Sequence, residues 1–366
     1  MSPHRLRVAG VLAAALAAVL ALGGCANLGY YWQSASGHVR ILNAARPVPD
    51  WLADAAASER LKQQLRAAQR IRLFASRQLA LPDNPSYTRY ADLQRDAAIW
   101  NVVAAPRLSL QLRTWCFPVA GCVAYRGYYD EAQARAQVAQ LQAQGLDAAA
   151  YPVPAYSTLG WMNWAGGDPL LNTFIHYPEG ELARLIFHEL AHQVLYVKDD
   201  TAFNESFATA VERIGVRQWL ASEADETARR EYAQSSLRRE QFQALTRATR
   251  DRLVALYESR APGAADTEAL LARKEEVLGD FRSQYLRLRE GWGGDPARFR
   301  RTDRWVAEAN NAAFGAEAVY DEWIPAFEAL FEREGRDWRR FYDAAARLGS
   351  MPKPQRHLQL KELSRA

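Results

Sequence analysis

Residues 187–192 read Phe-His-Glu-Leu-Ala-His, which sets two imidazoles and a carboxylate inside a run otherwise built like the middle of a buried helix. Such groups are costly to bury together unless something satisfies them. His188 and His192 are four residues apart, so on a helix both rings leave the same face, one turn above the other, where they can bind one ion. Glu189 is offset by about 100° on the helical wheel, beside the place a reacting water would occupy. A zinc ion in such a site activates water at neutral pH, and a nearby carboxylate can take its proton during attack on a carbonyl. Glu189 is assigned that role of general base, returning the proton to the leaving amine.

Two histidines do not complete a catalytic zinc site, which takes three protein ligands and keeps a position open. The third is expected from a second helix. Lys198-Asp199-Asp200-Thr201 ends the first helix and offers caps for the next, which begins TAFNESFATAVERIG and carries Glu205 in its opening turns. Twelve residues separate His192 from Glu205, enough for a reversal that packs one helix on the other. His188, His192 and Glu205 are therefore assigned as ligands of one Zn2+. The competing reading is a helix whose polar groups simply pair with neighbours. A closed structural site fits less well, because such sites favour Cys and four protein ligands.

The developing oxyanion needs a second electrophile. Tyr320, which follows Asn310 and Asn311 in a helical segment, is the choice over Tyr156, His176 and Tyr177. Ligand histidines also want their other ring nitrogen occupied. Asn204, Thr209 and Asp168 are the candidates.

The elements that must hold these groups divide the chain at about residue 178. From Trp51 to Leu79, apolar residues at spacings of three and four predict one or two helices. Ala97–Ala104, Cys122–Tyr128 and Ala148–Val153 read as short strands, with a helix across YDEAQARAQVAQLQAQG that Gly145 closes. Leu170–Ile175 reads as one more strand, at a sheet edge that a substrate could join. Pro178 and Glu179 open the metal helix, as a proline and an acid at the positive end should. Residues 227–290 predict a long antiparallel helical hairpin whose charges form a solvated face. The expected fold class is α+β and predominantly helical: residues 25–177 as a helical segment with a small mixed sheet, 178–366 as the helical metal region.

The first 24 residues read as a signal peptide, with Arg5 and Arg7 before an apolar stretch from Val8 to Leu22 that is short for a bilayer span. Leu22-Gly23-Gly24-Cys25 resembles the lipobox of bacterial lipoproteins, which implies lipid on Cys25 and a periplasm-facing place in the cell envelope. Ala26 in place of Asp implies the outer membrane by the same resemblance. Among the three cysteines, Cys116 and Cys122 then remain. Five residues including Pro118 and Gly121 lie between them, and an exported chain meets an oxidising compartment, so a disulfide is expected. Without Arg5 and Arg7, the 46 basic residues fall to 44 against 42 acidic ones. No basic cluster interleaved with aromatics asks for nucleic acid.

HELAHQ followed by NESFA resembles the gluzincin metallopeptidases, and NESFA is close to the NEGFA of alanyl-type aminopeptidases, where the glutamate is the third zinc ligand. The whole mature chain resembles the aminopeptidase family of proteobacterial lipoproteins, through IRLFASRQLALPDNPSYTRYADL, WNVVAAP, WCFPVAGCVAYRGY, DPLLNTF, ARLIFHELAHQ and FNESFA. The resemblance implies the same ligands, Glu189 as base, and an aminopeptidase acting on peptides. Two features depart from alanyl-type enzymes: the spacing from second histidine to glutamate is shorter, and no GxMEN segment supplies an acid for the substrate's free amine. Amide hydrolysis is thus argued from the residues, and removal of N-terminal residues is implied by the likeness. Two other readings stand beside it: an envelope interaction lipoprotein working through the charged hairpin, and a zinc hydrolase of cell-wall peptides.

Overall fold

The computed structural model describes residues 29–117, 121–155, 157–160, 163–259, 267–317 and 323–365. The signal segment, Cys25, Tyr156 and Tyr320 lie outside them. No described helix is long and apolar enough to cross a membrane.

The chain is a predominantly helical α+β fold with small sheets. Its first part runs α1 (29–44), β1 (Arg46–Pro47), α2 (Val48–Ala53), α3 (Glu59–Gln78), β2 (Arg89–Ala91), β3 (Ile99–Pro106), β4 (Trp115–Phe117), β5 (Gly121–Val123), β6 (Arg126–Tyr128), α4 (Glu131–Ala143), β7 (Leu146–Val153) and β8 (Leu170–Leu171). The helical remainder is α5 (Glu179–Val194), α6 (Thr201–Ser222), α7 (Glu226–Glu258), α8 (Thr267–Trp292), α9 (Arg300–Glu308), α10 (Asn311–Glu317), α11 (Ile324–Arg333), α12 (Trp338–Gly349) and α13 (Lys353–Leu363).

Local chemistry accounts for the boundaries. Ser58 caps α3 by accepting from Leu61 N, and Leu65, Ala68, Ile71 and Ala75 recur at helical spacing on its buried face. Asp130 caps α4, and Gly145, at φ +79°, turns the chain out of it as expected. α5 buries Leu182, Ala183, Ile186, Phe187, Leu190 and Ala191 against α3 and α6. The approach of α6 depends on Gly215, where a Cβ would lie 2.7 Å from Leu79 Cδ1 and 3.0 Å from Phe187 Cδ2. The largest apolar cluster takes residues from both sides of residue 178, from Ile41 through Phe187 to Leu363.

The strands form three small sheets: a mixed one in the order β1-β2-β8, an antiparallel one in the order β6-β3-β7, and the β4-β5 hairpin. The expected strand over Cys122–Tyr128 is broken into β5 and β6, because Cys122 pairs with Cys116 in the hairpin while Arg126–Tyr128 pairs with β3. The strand expected over Leu170–Ile175 is only two residues long. Asn172 takes Leu93 N and donates to Arg95 O with its side chain, and the backbone turns as Ile175 N bonds to Leu171 O. β8 is the outer strand of its sheet, yet Leu170 and Leu171 are 0% and 2% exposed, so no substrate backbone can join it.

α7 and α8 form the expected antiparallel hairpin, fixed by Arg252 to Asp280 at 2.7 Å and Trp292 Nε1 to Gln241 at 2.8 Å. Its charges are not only a solvated face: Arg239 on α7 makes a bidentate pair with Glu181 of α5 at 2.9–3.1 Å. Asn310 and Asn311 seat the start of α10 on the sheet, donating to Ala148 O and to Pro106 O and Arg107 O.

Candidate metal centre

α5 and α6 pack as neighbours through the reversal at residues 195–200, and that reversal is clamped on several sides. Asn204 closes it from within, accepting from Val197 N at 2.7 Å and donating to Val197 O at 2.8 Å. Asp200 caps α6 through Phe203 N and is buried against Arg356 and His357 of α13, with contacts of 2.9–3.0 Å. Cys122 N also donates to Asp199 Oδ1 at 2.7 Å, tying in the β4-β5 hairpin that the Cys116–Cys122 disulfide closes. Gly121, at φ +75°, allows this contact, since a Cβ there would lie 2.3 Å from Asp199 Oδ1.

The clamped reversal brings His188, His192 and Glu205 together. His188 Nε2 and His192 Nε2 are 3.2 Å apart, and Glu205 Oε2 lies 3.3 Å from the first and 3.7 Å from the second. Three donors bound to one tetrahedral zinc at 2.0–2.1 Å stand about 3.3 Å from one another, so the triangle fits such an ion. Two imidazoles and a carboxylate also match its ligand preference. His192 Nδ1 is buried with no hydrogen-bond partner, which leaves His192 positioned solely by packing and by what its Nε2 faces.

The charges agree with a site built for a cation. Burial lowers the His192 imidazole to about 4, leaving it neutral. For His188 burial acts downward, but the carboxylates of Glu205 and Glu212 outweigh it and bring the metal-free ring to about 10. Glu205 stays below its ordinary range because the two imidazoles outweigh its burial. Glu189 is raised to about 7, first by burial and then, against the influence of His188, by the negative Glu205, Asp168 and Glu212. No described residue hydrogen-bonds to Glu189, so burial and neighbouring charges alone set its ionisation.

The group that orients His188 is Glu212, which the sequence reading passed over. Glu212 Oε2 lies 2.9 Å from His188 Nδ1, and its other oxygen accepts from Arg184 Nη1 at 2.7 Å. Burial opposes its ionisation, yet Arg184 and His188 hold Glu212 at about 2. Arg184 also donates to Glu181, which Arg239 of α7 clasps. A helical signal existed: Glu212 is seven residues beyond Glu205 and Arg184 four before His188, each on its ligand's face. Of the partners expected for the ring nitrogens, Asn204 serves the reversal and Asp168 accepts from Thr158 N, Ser157 Oγ and Gln193 Nε2. Among the described residues the hydrogen-bond partners of the two imidazoles do not include Thr209.

The electrophile candidates separate likewise. His176 is exposed and faces Arg60 and Asp92, and the Tyr177 hydroxyl accepts from Arg301 at 3.2 Å. Three other tyrosines lie within electrostatic reach of the centre's carboxylates. Tyr196 feels Glu205, and the buried Tyr87 feels Glu189 and Asp168. Tyr125, two residues beyond β5, feels both Glu205 and Glu189, and burial followed by those charges raises its phenol far above its usual range. Its ring packs with Tyr151, Leu112 and Ala149 on the apolar cluster of Val103, Ala105, Ala312 and Ala316.

A family model described as "Putative aminopeptidase" matches residues 29–360. No curated protein matches the chain. No solved structure matches it either. The match runs from the first turn of α1 to α13 and takes in α5 and α6, their clamps and the disulfide hairpin, so the chain belongs to this aminopeptidase family.

Proposed function

We propose that this chain is a zinc-dependent peptidase, an aminopeptidase by its family, held in the cell envelope by lipid on Cys25 and facing the periplasm from the outer membrane. The observation that carries the reading is the triangle of His188 Nε2, His192 Nε2 and Glu205 Oε2, with sides of 3.2–3.7 Å. These three residues would hold one zinc ion, which when bound supplies Lewis acidity to water and to the scissile carbonyl.

The chain's own groups do the rest. His188 offers Nε2 to the metal because its Nδ1–H donates to Glu212, which fixes tautomer and ring orientation. Glu189, at about 7, lies near working pH, where a carboxylate both accepts a proton and gives it back. It takes the proton of the attacking water and returns it to the leaving amine. The Tyr125 phenol stays protonated at neutral pH and can donate to the oxygen that becomes negative as the carbonyl is attacked. Its ring is held against the apolar cluster of Val103, Ala105, Ala312 and Ala316.

The test is a profile of the zinc-loaded protein on matched peptides with free and blocked N-termini. Cleavage confined to the first bond of free-amine peptides supports the aminopeptidase reading. Cleavage of blocked peptides at internal bonds makes it an endopeptidase. No chelator-sensitive cleavage of any peptide, cell-wall peptides included, overturns the reading.

A further inference from the structure

Only three residues separate Cys25 from Gly29, the first described residue of α1. Even fully extended, that stretch spans about 14 Å between the two Cα atoms. If Cys25 carries lipid, the amino end of α1 is held close to the bilayer whichever way the body turns.

The outward face of that helix carries several exposed apolar groups, with Arg40 and Asn43 also exposed toward its far end. Trp32 is 74% exposed, Val39 50% and Tyr31 43%, with the exposed Ala35 between them. Trp32, Ala35 and Val39 follow one another at spacings of three and four, so they form one stripe, while Gln33, Gly37 and Ile41 face the interior. Trp and Tyr are the side chains that settle at headgroup depth, where an apolar ring carries a polar edge.

A second feature lies at the same end. A cavity of about 310 Å³ opens beside Gly29 and Tyr30, with Arg113, Arg126 and amides of α4 in its wall and no acidic residue in its lining. Guanidinium groups with amide donors suit phosphate oxygens. Gly29, Tyr30 and Gln33 put the cavity on the flank of α1, between the stripe and the interior, with Gly29 next to Trp32.

We propose that the outer face of α1, together with the guanidinium-lined cavity beside it, lies on the headgroup layer of the membrane that anchors the chain. The protein then rests on the bilayer instead of swinging from its tether. This inference depends on the lipid-anchor reading of Cys25, and the experiment separates the two.

With Cys25 lipidated and Cys116 bonded to Cys122, an Ala35→Cys variant offers a single free thiol for a nitrobenzoxadiazole dye. An Ala233→Cys variant on α7 serves as the exposed comparison. The lipidated full-length product is reconstituted in phosphatidylethanolamine–phosphatidylglycerol vesicles containing shallowly brominated lipids. Quenching at least threefold greater at position 35 than at 233, falling at least twofold when Trp32→Ser is added, is expected. Mass spectrometry reports the lipid on Cys25. Lipid present with equal quenching at the two positions overturns this inference alone, whereas absence of the lipid overturns the anchor and this inference with it. An unlabelled Ala35→Cys protein that forms copy-to-copy disulfides, with no extra quenching of the dye, assigns the face to a second copy and overturns the bilayer contact.

Discussion

The Glu212 carboxylate stands between His188 Nδ1, 2.9 Å away, and Arg184 Nη1, 2.7 Å away, so the His188 ring on α5 is oriented by an acid on α6 and that acid is kept charged by a base on α5. The relation predicts that Glu212→Gln leaves the fold intact and loosens the metal. Replacing such a partner typically lowers affinity or activity about 10–100-fold. Zinc competition with a fluorescent chelator reads the change, and unaltered affinity removes Glu212 from its positioning role.

Tyr125 is a phenol that feels both Glu205 and Glu189. Tyr125→Phe is expected to lower kcat about 100-fold with little change in KM, as loss of one oxyanion donor does elsewhere. Steady-state kinetics on a short peptide decide it. A kcat within about twofold of the parent excludes the phenol from the reaction.

The reversal between α5 and α6 is predicted to be a stability hot spot. Asp200 is 1% exposed and Arg356 4%, and the same carboxylate caps α6. Asp200→Ala strands the buried guanidinium and removes the cap, a loss of about 3–5 kcal/mol. Denaturant unfolding of the metal-free protein measures it without any contribution from the ion. A loss near zero would mean that the clamp does not hold the reversal.

The helical part of the site was legible because the helix period is fixed. Spacing of four put His188 and His192 on one face, and the Asp199-Asp200-Thr201 break announced the turn that brings Glu205 back. Glu212 and Arg184 obey the same arithmetic at seven and four residues from their ligands. The clamps on the reversal were not legible. Arg356 lies 156 positions from Asp200, and Cys122 lies 77 from Asp199, so no local pattern connects them. Tyr125 stayed hidden for the same reason, since a hairpin corner between two sheets gives no periodic signal. Leu170–Ile175 misled because an apolar run looks alike whether it is a strand or a buried turn, and here the Asn172 side chain makes it turn.

The central claim is that one divalent cation is held between α5 and α6 by His188, His192 and Glu205, with Glu189 beside it as base. Metal analysis of purified protein, read with turnover of a free-amine peptide, tests it most directly. The account predicts about one zinc per chain in the parent. It predicts the same content in Glu189→Gln with turnover lower by about 100-fold or more, and loss of both zinc and turnover in Glu205→Ala. Full zinc occupancy in Glu205→Ala at parental affinity, or undiminished turnover by Glu189→Gln, would contradict it.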